Sequence, residues 1–413
     1  MRKVIVIGAG AAGLMAAGTA ADKGCDVTLL EKNEKLAKKV RITGKGRCNV
    51  TNNCNDTQEL IAQVPVGGRF LYSAFSTFGP QDTMAFFESM GVPLKTERGR
   101  RVFPESDSAH DIAEALVKFA LKKGVRIVKG EADHLDINNG QIDGVVLRDG
   151  NRISCDSCIV ATGGLSYPLT GSTGDGYRFA ESAGHTIVAP KPSLVPLVAH
   201  EGFCSELMGL SLRNVTLKVL DTEKKNKVIF SELGEMLFTH FGVSGPLVLS
   251  ASSHMRQMKK GRYILSVDLK PALTNEQLDK RIQRDFSENL NRNFINALNS
   301  LLPKKLVPVV VKLSGIPAST KVNQVTKEQR QKFVALLKDF RITVKDFRPI
   351  DEAIVTSGGV KVSEIDPKTM QSKFVKGLYF AGEVMDVDAY TGGYNLQIAF
   401  SAGYLSGMAQ AEM

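Results

Sequence analysis

The residues whose spacing most clearly implies chemistry are three glycines in the run Gly8-Ala9-Gly10-Ala11-Ala12-Gly13. Lys3 to Ile7, just before them, reads as a short buried strand. A helix is predicted from about Ala12 to Lys23, and a second strand over Asp26 to Leu30. Glu31 stands at the end of that strand, 18 residues after the last glycine. Strand, G-x-G-x-x-G, helix, strand and acid make the dinucleotide-binding βαβ unit. The first glycine makes the tight turn, and the second lets a pyrophosphate approach the backbone. The helix N-terminus offers free N–H groups and a partial positive charge. Glu31, with Lys32 beside it, is placed to accept hydrogen bonds from the adenosine ribose. The competing reading, a glycine-rich turn of another α/β protein, does not explain the acid.

Further along, the chain twice returns to the same style. From Lys32 to Arg47 it carries seven basic residues against one acid, Glu34. This is either a solvated basic face or a loop that wraps back over the dinucleotide, with Gly44 and Gly46 allowing close approach. Its position directly after the ribose-binding acid favours the loop. Cys48 follows in that loop, where it either packs against the cofactor or takes a redox role. Cys158 to Gly164 is a second strand-then-glycine element. Gly382-Glu383 and Thr391-Gly392-Gly393-Tyr394-Asn395 lead into a predicted helix over Leu396 to Met408.

Composition bounds the rest. The 413 residues are 43% hydrophobic and 23% charged, an ordinary globular balance that excludes a disordered or collagen-like chain. Six irregularly spaced cysteines in so long a chain argue against a disulfide framework and for a reducing cytoplasm. No apolar run approaches a membrane span, and no membrane partner is expected. Met1-Arg2-Lys3 followed by apolar residues to Ala21 has the outline of a secretion signal, but its glycines weaken that reading. The net charge is +10, which suits anionic cofactors and admits nucleic acid without requiring it. Leu273 to Arg348 holds 15 Lys/Arg against 7 Asp/Glu and so carries most of that excess. The expected organisation is a nucleotide domain in two parts, 1–189 and 348–413. Between them lies an insert, β-rich over 190–270 and helical over 271–347.

Five stretches together resemble a known family. They are GAGAAGL at 8–14, GKGRCNVTN at 44–52, ATGGLSYPLTGSTGDGY at 161–177, LFTHFGVSGP at 237–246 and YFAGEVMDVDAYTGGYNLQIA at 379–399. They are similar to the BaiN-like, or aminoacetone-oxidase-family, bacterial flavoproteins, which have two dinucleotide-binding domains. The resemblance implies an α/β fold: a Rossmann-like FAD-binding domain of the GR2 type, split by an insert with a β-barrel-like part and a helical part. It implies non-covalent FAD. Arg47 and Asn49 would lie beside the flavin or its phosphates, and Ala161, Thr162 and Gly163 near the adenosine. Gly382 and Glu383 would face the pyrophosphate and ribityl chain. Asn395, Leu396 and Gln397, behind Gly393, would turn backbone N–H groups to the flavin pyrimidine edge. A helix N-terminus there favours the negative charge of the reduced ring by about 0.3–2 kcal/mol.

The expected activity is hydride transfer between flavin and a small organic substrate. No second G-x-G-x-x-G with a following acid is present, so NAD(P)H is expected only as a transient donor. His240, in LFTHFGVSGP, is the preferred proton-relay candidate, beside the reading of a satisfied structural histidine. Tyr394 is a second candidate, and Tyr167 also could reach the flavin. Cys155 and Cys158 lack a partner pair for zinc and read as core. No metal is expected. The alternative function is an RNA-associated flavoprotein whose basic insert docks tRNA. Sparse aromatics on the insert weigh against it. The residues leave the oligomeric state open.

Overall fold

The computed structural model describes residues 1–288 and 290–411. Residues 289, 412 and 413, which the boundaries above take in, lie outside that description. The chain forms two compact units, Met1–Ser193 with Ile350–Met413, and Leu194–Pro349.

The first unit is built on a five-stranded parallel sheet. Its strands run in the order Leu378–Phe380, Ser157–Val160, Lys3–Ile7, Asp26–Glu31, Arg126–Lys129. Val4, Ile5, Val6 and Ile7 are all buried, as expected for a strand covered on both faces. The first helix, Ala11–Asp22, follows the glycine turn. It packs on the closing helix, Tyr394–Met408, through small residues. A Cβ on Gly403 would stand 2.4 Å from the Ala12 carbonyl oxygen, and one on Gly407 2.6 Å from that of Ala16. The two backbones are therefore nearly in contact, and any larger side chain would part them. The helix Ala109–Lys122 buries Ile112, Ala113, Leu116 and Ala120 at helical spacing. A three-stranded sheet of Thr51–Asn52, Arg101–Pro104 and Leu94–Glu97 carries the end of the basic loop.

The second unit holds a closed six-stranded antiparallel barrel. Its strands are Leu197–Ala199, Gly242–Ser244, Lys227–Thr239, Ser211–Asp221, Tyr263–Asp268 and Phe340–Phe347. Leu217, Val219, Phe238, Val243, Leu265 and Val267 fill its interior. The helical segment is shorter than expected, because Phe340–Phe347 is the strand that completes the barrel. Its period is two: Phe340, Ile342 and Val344 point inward, while Arg341 and Lys345 are exposed. The helices Asn275–Ser287 and Lys327–Lys338 precede it. Each starts from a capping box, Thr274 with Gln277 and Thr326 with Gln329. Among the described residues no helix is long and apolar enough to cross a membrane.

The closing helix depends on Phe400, which is fully buried and meets the Phe87 ring at 5.4 Å. Phe400→Ala is expected to destabilise the fold by about 3–5 kcal/mol. Denaturant titration of the holoprotein measures it, and an unshifted midpoint would refute the packing argument.

Candidate functional site

The site lies in the first unit, where two helices begin. Gly10 caps the first helix with extended backbone and no side-chain hydrogen bond, and its first turn holds no acidic residue. Leu14 N–H closes the first helical bond on the Gly10 carbonyl. The N–H groups of Ala11, Ala12 and Gly13 thus have no acceptor among the described residues. A Cβ on Gly13 would stand 1.8 Å from the Gly8 oxygen, so the fold itself requires that glycine. Gly10 differs: no protein atom lies within 4 Å of where its Cβ would be. The fold leaves that space open in front of unpaired donors, which fits a pyrophosphate.

Glu31 is buried and already engaged. One carboxylate oxygen accepts from Ala9 N–H at 2.8 Å, the other from Asn33 N–H at 2.8 Å and Asn33 Nδ2 at 2.7 Å. It therefore ties the glycine turn to the start of the basic loop, with lone pairs left for ribose hydroxyls. The loop is strapped down by its lysines. Lys32 Nζ pairs with Asp175 at 2.6 Å, and Lys38 donates to the Leu169 carbonyl. Lys39 reaches Ser166 at 2.6 Å and Glu383 at 2.7 Å. Burial alone would push the Asp175 carboxyl up, but hydrogen bonds from Lys32 and Thr173 hold it below its usual range. The loop is thus tied down on the segment after Ala161.

Several predicted site residues play other parts. Arg47 is committed to Glu97 and Asp107, each at 2.6 Å, and its guanidinium lies 4.3 Å from the Phe103 ring centre. Cys48 is fully buried with φ +59°, and burial pushes its thiol up to about 12, against thiolate chemistry at neutral pH. Glu383 turns its carboxylate to Lys39, Ser166 and the Thr356 N–H. Ala161 N–H bonds the Ile7 carbonyl at 2.9 Å. The Thr162 hydroxyl is buried with no partner among the described residues, in the space a Gly176 Cβ would fill. Gly163 and Gly382 take left-handed backbone at turns, φ +75° and +79°. Burial raises the Cys155 thiol to about 12 and pushes the Cys158 thiol well above its ordinary value, so the two are no ready dithiol.

The second helix end is the closing helix. The Gln397 N–H is spent on the Gly393 carbonyl at 3.1 Å, which corrects the expectation that it faces the flavin. Its side chain instead knots Thr51, Phe78 and Ser401 together in the core. The open donors are the N–H groups of Tyr394, Asn395 and Leu396, with no acceptor among the described residues. The Asn395 side chain braces the preceding turn by bonding Ala389 N–H and carbonyl, both at 2.9 Å. Asn49 accepts from Gly393 N–H at 2.9 Å and donates to Thr51 and Val102 carbonyls. A Cβ on Gly393 would stand 2.4 Å from the Thr51 carbonyl, so the turn lies flat on that strand. Asn52, not singled out from sequence, donates to the Gly392 carbonyl at 3.2 Å and that of Gly99 at 3.0 Å. Tyr394 is buried; burial first, then the nearby Cys54, raises its phenol, with Arg100 opposing. It stays protonated at neutral pH.

His240 belongs to the second unit. It is exposed in the turn between Lys227–Thr239 and Gly242–Ser244, its ring edge-on to Phe241 at 4.9 Å. Among the described residues no group of three or more His, Cys, Asp or Glu could hold a metal ion.

Residues 2–409 match the family model described as the HI0933-like protein Rossmann domain. The chain is 32% identical over its whole length to the 3-dehydro-bile acid delta(4,6)-reductase of Clostridium scindens, covering 100% of that protein. It is also 32% identical over 97% of its length to the ribosomal RNA dihydrouridine synthase of Escherichia coli, covering 96% of it. Among solved structures, it aligns over its full length with all of the 3-ketosteroid delta1-dehydrogenase of Sterolibacterium denitrificans. The TM-score is 0.51 at 13% identity, a likeness of fold alone.

Gly10→Val is expected to leave the fold intact while its side chain fills the open space. FAD content, read from the absorbance of purified protein, should fall by at least about tenfold. Full retention of flavin would refute the pyrophosphate assignment.

Proposed function

Because the chain belongs to the HI0933-like Rossmann-domain family of FAD-binding oxidoreductases, we propose that it is a reductase of carbon–carbon double bonds conjugated with a carbonyl. The acceptor in this reading is the uracil ring of RNA, and NAD(P)H is the source of electrons. The observation that carries the reductase reading is the closing helix, which aims three unpaired N–H groups and its positive end from a turn braced by Asn49, Asn52 and Asn395. FAD, when bound, supplies the hydride. The chain's own residues do the rest. Ala11, Ala12 and Gly13 hold the pyrophosphate. Glu31 orients the ribose. Tyr394, Asn395 and Leu396 bind the ring and favour its reduced, negatively charged form.

The names of the two relatives share one chemistry. Dihydrouridine arises by saturating a double bond conjugated with the uracil carbonyl. A delta(4,6) reduction of a 3-oxo steroid saturates bonds conjugated with its ketone. In the proposed reaction one hydride and one proton add across each double bond saturated, and one NAD(P)H becomes NAD(P)⁺ per bond. Charge supports the RNA acceptor: +10 overall, with the excess concentrated in 273–348. There Lys280, Arg292, Lys304, Lys312 and Lys345 have no ion pair among the described residues. A steroidal dienone is the second reading. It is favoured by the C. scindens relative and by the BaiN-like resemblance of the sequence motifs. His240 is the proton-donor candidate in both.

The test is anaerobic reduction of the holoprotein with NADPH or NADH, followed by unmodified ribosomal RNA or a 4,6-dien-3-one bile acid. Mass spectrometry of digested RNA should find a uridine heavier by two hydrogens. Reduction of the steroid with untouched RNA selects the second reading, and reduction of neither refutes the proposal. His240→Ala should lower kcat by about a hundredfold with FAD retained; an unchanged kcat removes it from the mechanism.

A further inference from the structure

The hairpin Leu94–Glu97, Arg101–Pro104 turns through Arg98-Gly99-Arg100. All three turn residues and Arg101 are exposed. The turn is tight: Gly99 has φ +76° and Arg100 φ +59°, left-handed backbone that a non-glycine residue holds only when its surroundings impose it. Four bonds impose it here. The Arg100 carbonyl accepts from Asn53 N–H at 2.7 Å, and the Arg100 guanidinium clamps Glu59 through two nitrogens. Arg101 Nε donates to the Arg98 carbonyl at 3.1 Å. Asn52 then staples this turn to the flavin-side glycines, since its single amide nitrogen donates to both Gly99 and Gly392. An exposed arginine turn is thereby fixed one side chain away from the end of the closing helix.

The surrounding charges sort into two groups. Arg47 and Lys95 are neutralised by Glu97 and Asp107, and Arg100 by Glu59. Arg98, Arg101 and Lys45 make no close ion pair with a carboxylate among the described residues, and Arg101 acts on Glu97 only at longer range, behind Arg47. Lys45 lies in the loop whose Gly44 approaches the Phe103 ring, and Arg47 and Arg101 lie over that same ring. The acids of the hairpin are thus used up by inner cations, and the outer ones are left unpaired. A merely solubilising surface needs neither a stapled turn nor guanidinium heads. A planar guanidinium matches the oxygens of a phosphate with two parallel donors.

We propose that Arg98 and Arg101, with Lys45, form a phosphate-binding surface that grips the RNA backbone beside the nucleotide to be reduced. This rests on the RNA reading given above and deepens it. Base-stacking and ring chemistry belong to the flavin end of the turn. The arginines set the register of the strand, as backbone contacts do for single-stranded RNA.

The experiment compares wild type with Arg98→Ala and with Arg98→Ala/Arg101→Gln, all as holoproteins. Arg98→Ala removes no hydrogen bond of the fold. FAD content and Tm check that the double variant is folded. Binding of fluorescein-labelled, unmodified ribosomal RNA fragments is measured by anisotropy over a salt series. The double variant should bind about tenfold more weakly. Its salt slope should be smaller by about 1.4, two contacts at about 0.7 each, and the single variant's by about half that. Unchanged affinity and slope in both variants, with wild type binding RNA, overturn this surface and leave the RNA reading standing. Wild type that neither binds nor reduces RNA overturns both. A rise in KM for NADPH but not NADH, with RNA affinity unchanged, assigns the arginines to the phosphate on the adenosine ribose of NADPH and overturns the inference.

Discussion

Everything in the first unit depends on unpaired backbone donors at the starts of two helices. A helix N-terminus without a capping side chain is costly if buried and open to any anion if exposed. Gly10 and Gly393 both cap without a side chain, and neither first turn carries an acid. The donors of each are left for something outside the protein. Their mutual placement is not left to loops. Gly403 and Gly407 set the closing helix on Ala12 and Ala16 of the first helix almost at backbone contact. One molecule long enough to span both ends is then met by two fixed points rather than two flexible ones, which lowers the ordering cost of binding.

The second theme is that polar side chains around the site serve the backbone more than the ligand. Glu31, Asn49, Asn52, Asn395 and Glu383 all spend hydrogen bonds on turns and loop segments. Rigid turns are what present N–H groups at constant geometry, and preorganised donors need no rearrangement when charge develops. The lysines of the loop work similarly. Lys32 and Lys39 hold the carboxylates of Asp175 and Glu383, partly sheltered from solvent, where an ion pair is screened less than on an open surface.

Much of this was legible in the sequence, and the reason is geometric. Gly8, Gly10, Gly13 and Glu31 act through local spacing, so a linear pattern reports them. The first helix and the buried strand at Val4–Ile7 are equally local. What stayed hidden depends on partners far along the chain. Gln397 looked like a donor beside a glycine pair, but its N–H closes the first helical turn and its side chain meets Thr51 and Phe78. Arg47, which the resemblance sets beside the flavin or its phosphates, is held by Glu97 and Asp107. Phe340–Phe347 was absorbed into a helical run because it follows one directly. Only its alternation, and the barrel it completes, show a strand.

Asn52 shows why such long-range partners matter for function. From sequence it is one polar residue at the end of a motif. In the fold it is 1% exposed, and its amide nitrogen is shared between Gly99 and Gly392. Its Oδ1 is buried with no partner among the described residues, an arrangement costing about 1–3 kcal/mol. An aliphatic residue of similar size would avoid that cost but could not tie two turns together. The structure therefore retains an expensive residue whose side-chain bonds, among the described residues, both serve to join the hairpin turn to the turn before the closing helix. The physical gain is rigidity between a surface that can hold a substrate and the donors that hold a cofactor. That coupling, rather than either site alone, is what positions a reacting double bond.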